Sequence, residues 1–192
     1  MFGVTIEAKY VNMTDINFPI TPARAAADKD GEEARGEPNW DVIELLFFAY
    51  RDFVSDPDEV LAKFQFGRAH HRVLHFVNRN PGMKVAELLD LLRITKQSLG
   101  RVLKQLIDEG YVLQKEGEQD RRQRLLYVTP KGEALAMKLA GLQTVRISRA
   151  LAELGPGAGE IASRFLAAMI DEPSRDSVLR FIARADRARR RR

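Results

Sequence analysis

A chain of 192 residues, 45% hydrophobic and with a formal net charge of +4, is long enough for one ordinary globular domain and a tail. It contains no cysteine, which excludes disulfides, thiolate zinc sites and iron–sulfur clusters and fits a reducing cytoplasm. No apolar run approaches the roughly 20 residues of a membrane span, and the N-terminus has neither the basic start nor the apolar block of a secretory signal.

Charge is uneven along the chain. Residues 1–38 hold four basic and seven acidic groups, a net −3, so residues 39–192 carry +7 of the total +4. This first segment, polar and broken by Gly and Pro, is expected to be a flexible acidic extension. From Trp40 the pattern turns helical, with Trp40, Ile43, Leu46, Phe47 and Tyr50 three or four apart. The segment Ser55–Glu59 (SDPDE) reads as a stop followed by a new start, with a second helix from about Leu61 to Val77. Pro81 and Gly82 then break the chain.

A short helix is expected over Val85–Arg93, and Thr95 is a good N-cap for another over KQSLGRVLKQLIDEG. In that helix Leu99, Val102, Leu103, Leu106 and Ile107 form one apolar face, and Gly110 ends it. The period then changes from 3.6 to 2. YVLQK and RLLYV flank a polar stretch and predict a β-hairpin whose tip carries Arg121, Arg122 and Arg124. Thr129 and Pro130 suit the first positions of a long helix to about Leu154, followed by helices over about Glu160–Ile170 and after Pro173. The end, RADRARRRR, is charged throughout.

Two short helices, a polar-faced second helix and a hairpin give a mainly α fold with a small β-hairpin wing. This is the pattern of a winged helix-turn-helix DNA-binding module, flanked by further helices. The helix after Thr95 leaves Lys96, Gln97, Ser98, Arg101 and Lys104 on its outer side. Such a helix fits the major groove of B-DNA, where arginine pairs bidentately with guanine and glutamine with adenine. Lys96 and Lys104 are expected at phosphates. The wing arginines suit the negative potential of the backbone or minor groove, and Asp120 is expected to pair with a neighbouring arginine and fix the tip.

The segments ITKQSLGRVLKQLIDEGYV and DRRQRLLYVTPKG resemble the MarR family of bacterial winged-helix transcription regulators. The likeness in layout covers about residues 40–170 and is most specific over Val85–Gly132. It implies that Asp120 stabilises the wing, that Arg122 enters the minor groove, and that the N- and C-terminal helices form a homodimer. On this basis residues 39–183 make the domain, with a DNA-binding lobe over about 61–130 and dimerisation helices over about 39–55 and 130–183. Residues 184–192 form an arginine-rich tail. The segment FGRAHHRVLHFVNRNPG is reminiscent of a PetP-like alphaproteobacterial branch. The acidic extension and the arginine tail depart from the family pattern.

The only histidines, His70, His71 and His75, lie on one predicted helix, with His71 and His75 at i, i+4. Three readings stay open for them: hydrogen bonds at a helix contact, a small-molecule effector pocket, or two ligands of a metal or haem site completed by a carboxylate. Trp40, Phe47, Phe48 and Tyr50 read as dimer core. The tail arginines either add sequence-independent DNA affinity or form a solvated end. No phosphate loop, nucleophile elbow or metalloprotease motif is present in the sequence, so no enzyme is expected. The expectation is a homodimeric, sequence-specific regulator of double-stranded DNA, a repressor, on a pseudo-palindromic operator. Its rival is a winged-helix protein-contact or non-specific DNA-packaging module.

Overall fold

The computed structural model describes residues 37–190, apart from Glu118, Arg121 and the side chain of Arg189. The expected acidic extension up to residue 36, Arg121, Arg191 and Arg192 lie outside the described residues. Seven helices and three strands follow one another among the described residues. They are α1 (Trp40–Ala62), α2 (Arg68–Arg79), β1 (Met83–Lys84), α3 (Val85–Leu92), α4 (Lys96–Asp108), β2 (Val112–Glu116), β3 (Arg124–Val128), α5 (Pro130–Leu154), α6 (Ala158–Ala168) and α7 (Glu172–Arg190). None of the described helices is long and apolar enough to cross a membrane.

The strands make one antiparallel sheet in the order β1-β3-β2. The hairpin pairs Val112 with Val128 and Glu116 with Arg124, and β1 adds Met83 opposite Leu126. One core fills the space between α2, α3, α4, the sheet and the start of α5. Leu74, Val77, Leu88, Leu99, Leu106 and Leu126 lie at its centre. At about 25 cal/mol per Å² of apolar area, side chains of this kind contribute roughly 1.5–3 kcal/mol each on burial.

Three boundaries differ from the sequence reading. Pro57 does not stop the first helix, and α1 runs through it to Ala62. Proline removes one N–H and strains the preceding turn, but Val54, Pro57 and Leu61 are buried where α1 meets α2 and α5, and this packing holds the helix together. The second helix starts at Arg68, not near Leu61, because Gln65 adopts φ 56° and Gly67 caps the new helix. The strand β1, only two residues long, had no periodic signal. The last helix extends to Arg190, so most of the arginine tail is helical.

The end of the hairpin is locked onto α5. Thr129 Oγ1 accepts from Gly132 N (3.0 Å) and donates to Gly110 O (2.7 Å), while Thr129 N donates to Tyr111 O (3.0 Å). The backbone of Gly132 passes directly over that Tyr111 carbonyl, and a β-carbon there would overlap its oxygen. This gives a steric reason for the glycine of the YVTPKG motif. Gly132→Ala is therefore expected to lower stability by about 3 kcal/mol, as overpacking against backbone does. Thermal or urea unfolding measures it, and an unchanged melting temperature would contradict the packing described.

Candidate nucleic-acid interface

The interface is built on α4. Its N-cap is satisfied: Thr95 Oγ1 accepts from Ser98 N (3.1 Å) and donates to Ser98 Oγ (2.9 Å). Leu99, Val102, Leu103 and Leu106 are buried, Leu99 to 1% exposure, so the opposite face must point outward. That face carries Lys96, Gln97, Arg101 and Lys104, all exposed. Arg101 makes no ion pair or hydrogen bond among the described residues. Lys104 pairs with Asp108 one turn on, an exposed pair of small energetic weight. Ser98 is engaged with the cap.

One residue of this face carried no recognisable signal. Gly100 lies in the middle of α4, and a β-carbon there would touch nothing within 4 Å. Glycine in a helix interior costs roughly 0.5–1 kcal/mol relative to alanine, and no contact within the chain explains its presence.

The C-terminus of α4 is tied to the wing and to α5. Gly110 turns the chain with φ 75°, and Tyr111 N donates to Leu106 O (2.8 Å). Lys131 Nζ donates to Glu109 O (2.9 Å) and lies 4.1 Å from the Tyr111 ring centre. A cation there is favoured by the negative end of the helix dipole.

At the wing, Asp120 does not pair with an arginine side chain among the described residues. Its carboxylate accepts from Arg122 N (2.9 Å) and from Gln123 Nε2 (3.4 Å), and Gln123 N donates to Asp120 O (3.0 Å). The aspartate thus closes the tip through the backbone, as Asx turns do, and leaves the Arg122 side chain exposed. Arg124 pairs with Glu116 across the ladder at 3.0 Å, which orients its guanidinium within the hairpin.

The three histidines do not gather into one metal-binding group among the described residues. His70 Nδ1 accepts from Gly67 N (3.1 Å), so its proton sits on Nε2, which faces Gln105 Oε1 at 2.9 Å. Gln105 Nε2 in turn donates to Glu109 Oε1 (2.9 Å). His70 also stacks on Phe66, with ring centres 4.7 Å apart. It therefore joins the start of α2 to the inner edge of α4. His75 packs edge-on against Phe76. Burial pushes all three imidazoles below their ordinary range; His75 adds to this at His71, and Arg79 at His75. Among the described residues no group of three or more His, Asp or Glu gathers to hold a metal. Two buried guanidinium nitrogens, Arg72 Nε and Arg146 Nε, have no hydrogen-bond partner among the described residues.

The MarR family model matches residues 64–123, which span the start of α2 to the wing. The HTH-type transcriptional regulator PetP of Rhodobacter capsulatus is 47% identical over 133 residues, 69% of this chain and 80% of that protein. The chain belongs to the MarR family. It is a transcriptional regulator with a DNA-binding winged helix, and not an enzyme. Solved MarR-type structures share the fold. Streptococcus pneumoniae FabT, determined in complex with DNA, superposes with a TM-score of 0.61 at 16% identity, covering 69% of this chain and 94% of its own. A MarR-family regulator from Silicibacter pomeroyi gives 0.58 at 19% identity, covering 67% and 87%.

The depressed imidazoles make stability depend on pH. Unfolded histidine titrates near 6.5, so below that pH the unfolded chain binds more protons than the folded one. Stability is fully present above about pH 6.5 and falls as pH drops through the lower folded-state values. The melting temperature is expected to fall between pH 7.5 and pH 5, and His70→Asn to flatten the decline. A melting temperature that rises over this range would contradict the assignment.

Proposed function

We propose that the protein acts as a homodimer on a pseudo-palindromic operator, with α4 in the major groove and the wing at the adjacent minor groove, and represses by occupying the site. The observation that carries this reading is the outer face of α4. Arg101 projects there without a partner among the described residues, beside Gln97 and the bare backbone at Gly100. Arg101 is the candidate for bidentate pairing with guanine and Gln97 for adenine, with Lys96 and Lys104 at phosphates and Ser98 contributing through the helix N-terminus. Gly100 would let the helix axis approach the groove floor. Arg122, with Arg121 and Arg124 beside it, serves the wing, and Asp120 holds its shape.

Dimerisation is supported by an apolar surface that one chain leaves uncovered. Trp40 is 64% exposed and Phe47 61%, and Phe48 and Tyr50 are exposed with them. On the C-terminal helices Ile161, Phe165, Leu166 and Met169 are exposed as well. Continuous patches of this kind mark interaction surfaces, and two-fold pairing is the commonest way to close them. A dimer would place two α4 helices about one turn of DNA apart, with half-sites about 10 bp apart. For the effector, His71 and His75, one turn apart on α2 with Arg72 between them in sequence, are the candidate contacts. His70, engaged with Gly67 and Gln105, would transmit its effect to α4.

Three variants test the reading. Arg101→Ala is expected to lose about 1–3 kcal/mol of affinity and to relax discrimination at one base-pair position, read by fluorescence anisotropy over a panel of single-substituted duplexes. Gly100→Ala should raise fold stability by roughly 0.5–1 kcal/mol while weakening DNA binding. Uniform loss on all duplexes, or none, would contradict base reading by α4. Phe47→Asp, present twice in a symmetric dimer, is expected to destabilise the dimer by about 4 kcal/mol. A single dimeric species in sedimentation at micromolar concentration would contradict the interface.

A further inference from the structure

The C-terminal helix departs from a plain dimerisation element. One face of α7 docks on the winged lobe of its own chain. Arg93 Nη2 donates to Ser174 Oγ (3.3 Å), Phe181 meets Phe76 with ring centres 6.1 Å apart, Ala185 is 2% exposed, and Arg79 pairs with Asp186 at 2.7 Å. Ser174, Val178, Phe181 and Ala185 fall four, three and four apart, which is one helix face. At 3.6 residues per turn, Arg187 and Arg190 then lie on the opposite side, while Arg184 flanks the docked face with its guanidinium 5.5 Å from the Phe181 ring centre; all three are exposed. The end of α7 borders a cleft of about 350 Å³, with Arg184 and Ala188 on one wall and Asn80, Gly82, Lys84 and Glu87 on the other. Lys84 belongs to β1, the edge strand of the sheet whose β2–β3 hairpin is the wing.

The arm itself is strongly basic in sequence. From residue 184 onward the sequence holds six arginines and one acid, Asp186, and Asp186 is engaged by Arg79. Arginines held in a row at the surface repel each other, and a polyanion removes that repulsion while releasing its own counterions.

We propose that the end of α7 is a second DNA-contact element, a cationic strap that grips the phosphate backbone flanking the wing. It reads no sequence. Because it is docked on the same lobe as α4, it moves with that lobe and extends its footprint outward. This rests on the reading that α4 and the wing bind DNA.

The test is the double variant Arg187→Gln, Arg190→Gln, which leaves the docked face intact, with circular dichroism as a check of folding. Binding is measured between about 50 and 200 mM salt on two duplexes carrying a sequence selected from a random pool. One, of about 20 bp, spans only the two half-sites, and the other extends about 10 bp beyond on each side. Each lost phosphate contact removes about 0.9 from the slope of log K against log salt. The strap predicts a slope shallower by about 2 on the long duplex, little change on the short one, an unchanged base preference, and loss of hydroxyl-radical protection at the flanks. An unchanged slope on the long duplex, or the same change on both, would overturn it, and would include the case in which the arm serves an acidic protein instead. If the unaltered protein shows no preference for the selected sequence, α4 base reading fails instead, and the flank-dependent slope still decides the strap.

Discussion

The interface depends on the burial of one side of α4. Leu99, Val102, Leu103 and Leu106 are held in the core by α2 and the sheet. A helix that must hide four branched aliphatic side chains cannot rotate without exposing them. Each would cost on the order of 2 kcal/mol in water. The position of Arg101 and Gln97 at the surface is therefore the by-product of a hydrophobic constraint, not of any polar contact of their own. Neither makes a side-chain hydrogen bond or ion pair among the described residues, which leaves them available to a ligand.

The same logic extends to the pieces around α4. Thr129, Gly132 and Lys131 fasten the start of α5 to the end of α4 and to Tyr111, so the wing and the recognition helix share one base. His70 and Gln105 fasten the start of α2 to α4. The lobe is thus tied together as a single body, and in the proposed dimer control of DNA binding would act on the relation between two such bodies. Changes of that kind are shifts between packed arrangements, not gradual deformations. The α7 strap fits this picture, since it spans from Arg93 to Arg79 along one lobe.

Much of this was legible in the sequence where a local rule and the tertiary fold agree. Thr95 caps α4, Thr129 and Pro130 start α5, and the apolar face of α4 is buried. The MarR resemblance, seen in the segments around α4 and the wing, is borne out by the family match and the PetP relative. The sequence was misleading where packing overrides a local signal. Pro57 continues a helix because it is buried, and β1 exists only because β3 supplies its partner. Asp120 was legible as a tip-fixing residue but not in its partner, because an Asx turn and an ion pair have the same sequence requirement. Gly100 carries no signal in the sequence, because an isolated glycine in a strong helical pattern acquires a reason only from its open surroundings in the fold. The docking of α7 was hidden by its arginine-rich composition, which masks the sparse stripe of Val178, Phe181 and Ala185.

The central claim is that the outer face of α4 reads bases, twice, in a symmetric arrangement. Selection of bound sequences from a random duplex pool tests it most directly. We expect enrichment of an inverted repeat with half-sites about 10 bp apart, and loss of information at one position per half-site when the pool is selected with Arg101→Ala. A pool that remains random, or an enriched motif with no internal symmetry, would contradict it.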